Sequence, residues 1–160
     1  MAVSFSRTTI FCRSIERSLA LYRDALGFEV IDDKTLEGPA AGALLNIGPC
    51  SLRIVLLGDS TDQQPVIGLF QISDTEIPSL PLPPQTMALG QTATVIETDQ
   101  FDAVVDRLRE TDASFLTEPL EYPKKNASPG SPAGIYKEAI CFDPDGNLVS
   151  ILQVVPIANH

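Results

Sequence analysis

Hydrophobic and polar positions repeat along the chain with two different periods, and each change of period marks a predicted element. Apolar residues among threonines and serines over residues 3–12 predict a first strand. Apolar residues then recur at helical spacing over residues 15–26, where Ser14 can serve as the N-cap and Gly27 as the residue that ends the helix. A strand and an amphipathic helix therefore open the chain.

The same order of elements is predicted twice. After the helix, the apolar pattern predicts strands at 28–35, 41–47, 51–57 and 66–72. In the second half it predicts a strand at 91–96, a helix capped by Asp99, a short strand at 113–116, a loop at 122–133, and strands at 134–142 and 147–155. The simplest description is an α+β fold of two tandem β-α-β-β-β modules that pair around a shared core.

A proline-rich stretch separates the two modules. Residues 73–90 have little periodicity, which predicts an extended connector, although a flap over a pocket would have the same composition. We therefore expect a single domain over residues 1–160. Module one spans about 3–72, the connector spans 73–90, and module two spans about 91–156.

A tight turn joins the last two predicted strands. Its residues are Asp-Pro-Asp-Gly-Asn, in which Pro144 fixes φ and Gly146 can take a positive φ. The run that follows is dense in leucine, isoleucine and valine, which predicts a buried strand. Ser150 is the polar residue in the middle of that strand, so its role is the first question about function.

The charge of the chain narrows the possible partners. The formal net charge is -10 and the isoelectric point is about 4.4, so a nucleic-acid partner is not expected, because phosphate binding needs a basic face. The acidity indicates either simple solubility or attraction for a cationic ligand. No apolar run approaches the roughly 18 to 20 residues that cross a bilayer, and the N-terminus lacks the pattern of a signal peptide, so a cytoplasmic protein without a membrane partner is expected.

Cysteine and histidine chemistry is also limited. Cys12, Cys50 and Cys141 are odd in number, widely spaced and next to apolar runs, which predicts buried, inert thiols rather than a disulfide framework or a zinc knuckle. The single histidine is the last residue, His160. A catalytic triad or a two-histidine metal site needs a histidine inside the fold, so neither is expected.

Two stretches resemble one known family. Residues 14–28 (SIERSLALYRDALGF) and residues 142–148 (FDPDGNL) resemble the glyoxalase, bleomycin-resistance and extradiol-dioxygenase superfamily, also called vicinal oxygen chelate proteins. The resemblance extends over nearly the whole chain, because residues 99–108 look like the second helix of the family. It implies that the sheets of two paired modules form an open, U-shaped cleft, where metal-dependent members hold an ion.

The metal positions of the family carry over onto a poor set of ligands. They fall at Arg7, near Val55, at Gln91 or Ala93, and at Ser150. Arginine stays cationic, valine has no donor atom, and glutamine and serine are weak neutral ligands for iron, nickel or zinc. The resemblance therefore implies a cleft with no metal and no cofactor.

Residues that the resemblance places in the cleft or within reach of it are predicted to bind a ligand. The predicted ligand-binding residues are Arg7, Arg53, Gln91, Ser150 and Tyr136, with Arg53 included because it alternates with Val55 and shares its face. Guanidinium groups beside neutral hydrogen-bonding groups suit a ligand that carries carboxylate, phosphate or carbonyl oxygens. The alternative is that both arginines lie at the rim or pair with acidic residues. Tyr122 and Glu138 could also reach the cleft, where a desolvated Glu138 could act as a base, although a solvated edge residue has the same pattern.

Three functions stay open at this point. The first is a protein that binds a small organic molecule in a metal-free cleft, like the drug-sequestering members of the family. The alternative is an enzyme, either a glyoxalase-type lyase or isomerase or a dioxygenase-like protein, that uses a displaced metal or none. The third is an accessory protein whose sheet edges mediate dimerisation. By analogy with the fold a homodimer is expected, and no catalytic residue is assigned.

Overall fold

The computed structural model of the chain describes residues 2–59, 61, 64–82 and 86–157. His160 and part of the predicted connector lie outside these residues. The chain divides into two compact units, Met1–Pro81 and Leu82–His160, and each contains one sheet. Within the described ranges, no helix is both long enough and apolar enough to span a membrane.

The first unit is a four-stranded sheet with one main helix. Its strand order is β1-β4-β3-β2, in which β1 runs parallel to β4 and the other neighbours are antiparallel. The elements are β1 (Thr8–Phe11), α1 (Ile15–Leu19, continued by a π-helical segment over Ala20–Ala25), β2 (Glu29–Gly38), α2 (Pro39–Ala43), β3 (Cys50–Gly58) and β4 (Pro65–Ser73).

The predicted first helix is present and has the predicted start. The Ser14 side chain accepts a hydrogen bond from the backbone N–H of Arg17 at 3.4 Å, as expected of an N-cap. Ile15, Leu19 and Tyr22 are buried against the sheet. Gly27 follows the helix with φ of 84°, a conformation in which glycine has no steric cost.

The predicted strand at 41–47 is wrong. The chain forms the short helix α2 there, with Pro39 at its first turn, followed by a turn in which the N–H groups of Leu45 and Ile47 donate to the carbonyl of Gly42. Proline is favourable at a helix start, and the alanine-rich run that follows has no β-branched residue. The apolar residues that suggested a strand instead cover one end of the sheet.

The second unit repeats this arrangement. Its strand order is β5-β9-β8-β6, β7 also pairs with β8, and β5 runs parallel to β9. The elements are β5 (Ala93–Glu97), α3 (Phe101–Arg109), β6 (Ser114–Phe115), β7 (Leu120–Lys124), β8 (Gly134–Phe142) and β9 (Leu148–Pro156). In both units the first strand lies parallel to the last one, so the predicted tandem repeat and the α+β class are confirmed.

Two details of the second unit differ from the prediction. Residues 120–124 form β7, so the predicted loop at 122–133 is wrong at its start. Pro123 is tolerated because β7 lies at the edge of the sheet. The N-cap of α3 is Gln100 rather than Asp99, and its side chain makes no capping hydrogen bond.

The turn before β9 is held by its first aspartate. The Asp143 carboxylate accepts the backbone N–H groups of Asp145 at 2.9 Å and Asn147 at 2.8 Å, as well as the Asn147 side-chain amide. Gly146 has φ of 87°, as the turn sequence predicts. This network fixes the start of β9 and with it the register that presents Ser150.

Each sheet has one face that the longer helix of its unit, α1 or α3, covers and one that this helix does not cover, called here the helix-covered and the helix-free face. In the first unit, the Arg53 guanidinium binds Glu16 of α1 at 2.7 Å, and Gln71 Oε1 accepts the Ile15 N–H at 2.8 Å. Arg53 and Gln71 therefore lie on the helix-covered face, together with the alternating Val55. The helix-free face carries Leu52 and its neighbours, which pack against α2.

In the second unit the same test identifies the faces. The Lys137 ammonium lies 3.1 Å from Asp102 of α3, so Lys137 is on the helix-covered face. Strand alternation then puts Tyr136 and Glu138 on the helix-free face. Ser150 also lies there, since its register partner on β8 is Ile140. All three free cysteines are buried, as predicted.

Candidate functional site

A cluster of polar side chains lies around Ser150 on the helix-free face of the second unit. Ser150 lies in the middle of β9, is only 2% exposed, and has Val95 and Ile140 as its register partners. Its hydroxyl donates to Glu138 Oε1 at 2.8 Å. A nearly buried serine on an apolar strand thus orients a carboxylate on the next strand.

The second oxygen of the same carboxylate is also engaged. The Tyr122 hydroxyl donates to Glu138 Oε2 at 2.9 Å, so the two oxygens are held from opposite sides by β9 and β7. Burial raises the pKa of Tyr122, and its hydrogen bond to the Glu138 carboxylate raises it further. Tyr122 is 41% exposed, so part of this group faces solvent.

A second tyrosine stacks on the first. The rings of Tyr122 and Tyr136 lie 5.5 Å apart at 21°, as a cross-strand pair of β7 and β8. The Tyr136 hydroxyl donates to the carbonyl of Pro132 at 2.7 Å and therefore accepts from Ser131 Oγ at 2.9 Å. Tyr136 thus serves as a wall of the site and as an anchor for the loop that follows β7.

Lys124 holds the same loop. Its ammonium donates to Ser128 Oγ at 2.8 Å and to Ser131 at both the carbonyl, at 2.9 Å, and the hydroxyl, at 2.6 Å. All three donor positions of the ammonium are used in the loop. Lys124 therefore stabilises the edge of the site and is committed to local structure.

A cavity opens beside Leu152, which lies two residues after Ser150 on β9. Its volume is about 330 Å³, which is at the lower end of the range for small-molecule sites. Leu152 is the register partner of Glu138 on one side and of Glu97 on the other. The lining residues are Glu97, Thr98, Asp99, Leu152, Gln153 and Val154.

The remaining predicted ligand-binding residues have different surroundings. Arg53 lies on the helix-covered face, where it binds Asp33 through two nitrogens, at 3.0 and 2.8 Å, and Glu16 through the third. This is the ion-paired alternative that the sequence left open. Gln91 lies just before β5, and its side chain accepts the N–H of Ala88 at 2.7 Å, closing a local turn.

Arg7 has no such partner. It precedes β1 in the first unit and lies over Gly68, where an added Cβ would come within 3.5 Å of Arg7 Nε and 3.4 Å of Thr9 Oγ1. Gly68 pairs with Thr9 on the helix-free face of that unit. Among the described residues Arg7 makes no hydrogen bond or ion pair, so its guanidinium is available to a ligand on that face.

The family of the chain follows from comparison with known proteins. The model of the Glyoxalase/Bleomycin resistance protein/Dioxygenase superfamily matches residues 4–151. The chain belongs to this superfamily. The resemblance on residues 14–28 and 142–148 is thereby confirmed, and the match extends through both units. Among proteins with curated descriptions, none matches the chain.

Solved structures of the superfamily share the fold at low sequence identity. A glyoxalase family protein from Bacillus cereus has a TM-score of 0.76 and 18% identity, with 98% of this chain and 97% of that one covered. A glyoxylase/bleomycin resistance protein/dioxygenase domain from Frankia sp. EAN1pec has a TM-score of 0.58 and 15% identity, with 100% and 96% covered. At these identities the likeness establishes the fold alone.

The residues at the metal positions of the superfamily do not fit a divalent metal ion. Val55 has no donor atom, is 0% exposed and lies on the helix-covered face. Ser150 uses its proton to bind Glu138, and the side-chain oxygen of Gln91 is engaged with Ala88. Glu138 is a single carboxylate, and no group of three or more acidic, cysteine or histidine residues suited to a metal occurs in the described part of the chain. These residues therefore provide no basis for a reaction through a bound metal ion.

Strand parity alone pointed to part of this site. Tyr136, Glu138 and Ser150 alternate correctly for one face once β8 and β9 are aligned across the turn. Tyr122 joins them only because residues 120–124 form a strand, which their exposed, proline-containing sequence did not predict. Glu97 had no sequence signal at all, since its place beside Leu152 depends on the parallel pairing of β5 with β9.

Proposed function

We propose that this member of the superfamily binds a small organic molecule without a metal ion, on the helix-free face of its second unit. The residues proposed to hold the ligand are Ser150, Glu138, Tyr122 and Tyr136. Arg7 stays a predicted contact on the first unit. Arg53 and Gln91 are left out, because their side chains already bind local partners.

One observation carries the proposal: the Glu138 carboxylate is oriented from both sides on the helix-free face, between Leu120 and Leu152 and beside the ring of Tyr122. Hydroxyl groups from the two strands that flank β8, one of them on the nearly buried Ser150, fix the two oxygens at 2.8 and 2.9 Å. A polar group fixed in this way provides directional recognition, while apolar and aromatic neighbours provide contact area. Recognition of this type needs no reacting group.

The metal-free part of the proposal rests on the donor atoms. Where metal-dependent relatives would present a carboxylate, this chain presents the Ser150 hydroxyl, a weak neutral ligand that is already engaged. The chemistry of a lyase, isomerase or dioxygenase that acts through a metal ion has no support from this ligand set. A homodimer in the cytoplasm remains the prediction for the assembly and its location.

The test uses the tyrosines as reporters. The chain has three tyrosines and no tryptophan, and Tyr22 is fully buried in the first unit. A panel of small organic molecules is screened by thermal shift with the protein treated with a chelator. Binding is then measured by tyrosine fluorescence, with Glu138→Gln as the site variant. We expect saturable binding that raises the melting temperature and that weakens in the variant.

The matched control is Glu121→Gln. Glu121 precedes Tyr122 on β7, pairs with Lys137 and so lies on the helix-covered face, and its substitution changes the net charge by the same amount. Binding should be unchanged in this control. Stoichiometric iron, nickel or zinc by elemental analysis, lost on substitution of Ser150, would contradict the metal-free proposal and would support the enzyme alternative instead.

A further inference from the structure

The charge around Glu138 defines the ligand more closely, provided that the proposed function is correct. A carboxylate has about four lone-pair positions. Ser150 and Tyr122 use one on each oxygen, and no further hydrogen bond to Glu138 occurs among the described residues. Glu138 therefore keeps acceptor capacity on both oxygens, and what it lacks is a donor.

No basic side chain among the described residues hydrogen-bonds to this carboxylate or forms an ion pair with it. On the helix-free face of the second unit, Lys124 is the one basic residue in β5 to β9. It lies four residues along β7 from Leu120, the register partner of Glu138, which is roughly 13 Å. Its ammonium is bound to Ser128 and Ser131 instead. In the described part of the chain, Glu138 is thus an acceptor without a counter-ion.

The surroundings of Glu138 suit the apolar part of a ligand. Its register partners Leu120 and Leu152 lie on either side, and Tyr122 presents a ring that is partly exposed. Leu152, the register partner of Glu138, also lines the cavity of about 330 Å³. Glu97 borders that cavity two strands away, about 10 Å from Glu138, so a second carboxylate of the same charge lies near the first.

We propose that the ligand is a small organic amine in its ammonium form, whose charged group binds Glu138 and whose apolar part lies along Tyr122 and Leu152 into the cavity. An ammonium ion supplies the donors that Glu138 lacks, and aromatic rings also attract cations. A carboxylate or phosphate ligand at this place would face Glu138 with the same charge. The net charge of -10 favours the approach of a cation at low salt.

The inference is tested with three probes of one shape and different charge: benzylammonium, benzyl alcohol and benzoate. Each is titrated at low ionic strength and binding is followed by tyrosine fluorescence. We expect saturable binding of benzylammonium at least about tenfold tighter than that of benzyl alcohol, and no binding of benzoate. Glu138→Gln should weaken benzylammonium about tenfold, and Glu97→Gln should weaken it less.

Glu121→Gln controls for net charge, and circular dichroism with thermal melting checks that each variant is folded. The inference is overturned if benzylammonium does not saturate, if benzoate or benzyl alcohol binds as tightly, or if Glu121→Gln weakens binding as much as Glu138→Gln. Failure of the proposed function is a different result, in which no molecule of any charge in the wider panel changes the fluorescence or the melting temperature.

Discussion

Substitution of Gly42 tests the close contact between α2 and the turn after it, in the segment where a strand was predicted. It lies in α2 and faces the turn that follows. A Cβ at this position would overlap the carbonyl oxygen of Gly48 and lie 2.7 Å from that of Ile47. Both obstacles are backbone atoms, so no side-chain rotation relieves the overlap. In Gly42→Ala, the turn must therefore move away from the helix.

The expected cost follows from this geometry. Overpacking of this kind costs about 1 to 3 kcal/mol. Movement of the turn also strains the hydrogen bonds that the N–H groups of Leu45 and Ile47 make to the Gly42 carbonyl, at 3.0 and 3.1 Å, each of which contributes about 1 kcal/mol. Alanine also adds roughly 0.5 to 1 kcal/mol to the free energy of unfolding, because the unfolded chain has lower entropy and alanine favours the helix. A net loss of about 1 to 3 kcal/mol in the free energy of unfolding is expected.

Gly48→Ala is the matched control. It lies in the same turn, an added Cβ there meets nothing within 4 Å, and its φ is outside the left-handed region. Both variants change the unfolded chain equally, so their difference reports the native state. Urea unfolding measures each free energy, with Gly48→Ala expected within about 0.5 kcal/mol of the parent. Equal stability of the two variants would refute this account of α2.

Two further predictions concern charge and burial. Arg53→Gln removes a guanidinium bound to Asp33 and Glu16, and because the side chain is 35% exposed the loss should be about 1 kcal/mol and smaller in high salt. Arg53 lowers the pKa of Asp33 from 3.8, so the stabilisation by this ion pair should be present above about pH 4 and should disappear as the pH falls below that value. If the free energy of unfolding falls equally with acid in the parent and in Arg53→Gln, this prediction is wrong. Burial raises the pKa of the Cys141 thiol from 9.0 to about 12, so a thiol reagent at pH 8 should leave Cys141 unmodified in the native protein. The stabilisation that comes from burying the neutral thiol should be lost between about pH 9 and 12. Rapid labelling of Cys141 in the native protein, located by mass spectrometry, would contradict this prediction.

The elements with strong periodic patterns were predictable, and the exceptions have local causes. The predicted bounds of β8 match the observed Gly134–Phe142, because alternation and the turn after it both mark the strand. The strand β7 was missed because four of its five residues are exposed and one is proline, so its hydrogen bonds to β8 are the main reason that it is extended. Pairing between distant segments leaves little trace in a single sequence.

The alternation of side chains along a strand predicted part of the candidate site correctly and left another part undetermined. Parity correctly grouped Arg53 with Val55, but it does not tell which face of the sheet a helix covers. Because α1 covers that face, the predicted arginine is used in an ion pair with the helix. In the second unit the helix covers the face that carries Lys137, which binds Asp102 of α3. Glu138 therefore lies on the helix-free face.

Because Arg53 is on a helix-covered face and Glu138 is on a helix-free one, the charge that we expect of the ligand is reversed. The sequence suggested guanidinium groups and therefore a ligand with acidic or carbonyl oxygens. With Arg53 paired internally, the charged side chain with unused hydrogen-bonding capacity beside Ser150 is a carboxylate. Ser150 then has a different meaning as well. A serine at this position stands where a metal ligand would be expected and supplies the hydroxyl that orients Glu138, which fits the proposed recognition of a cation without a metal ion.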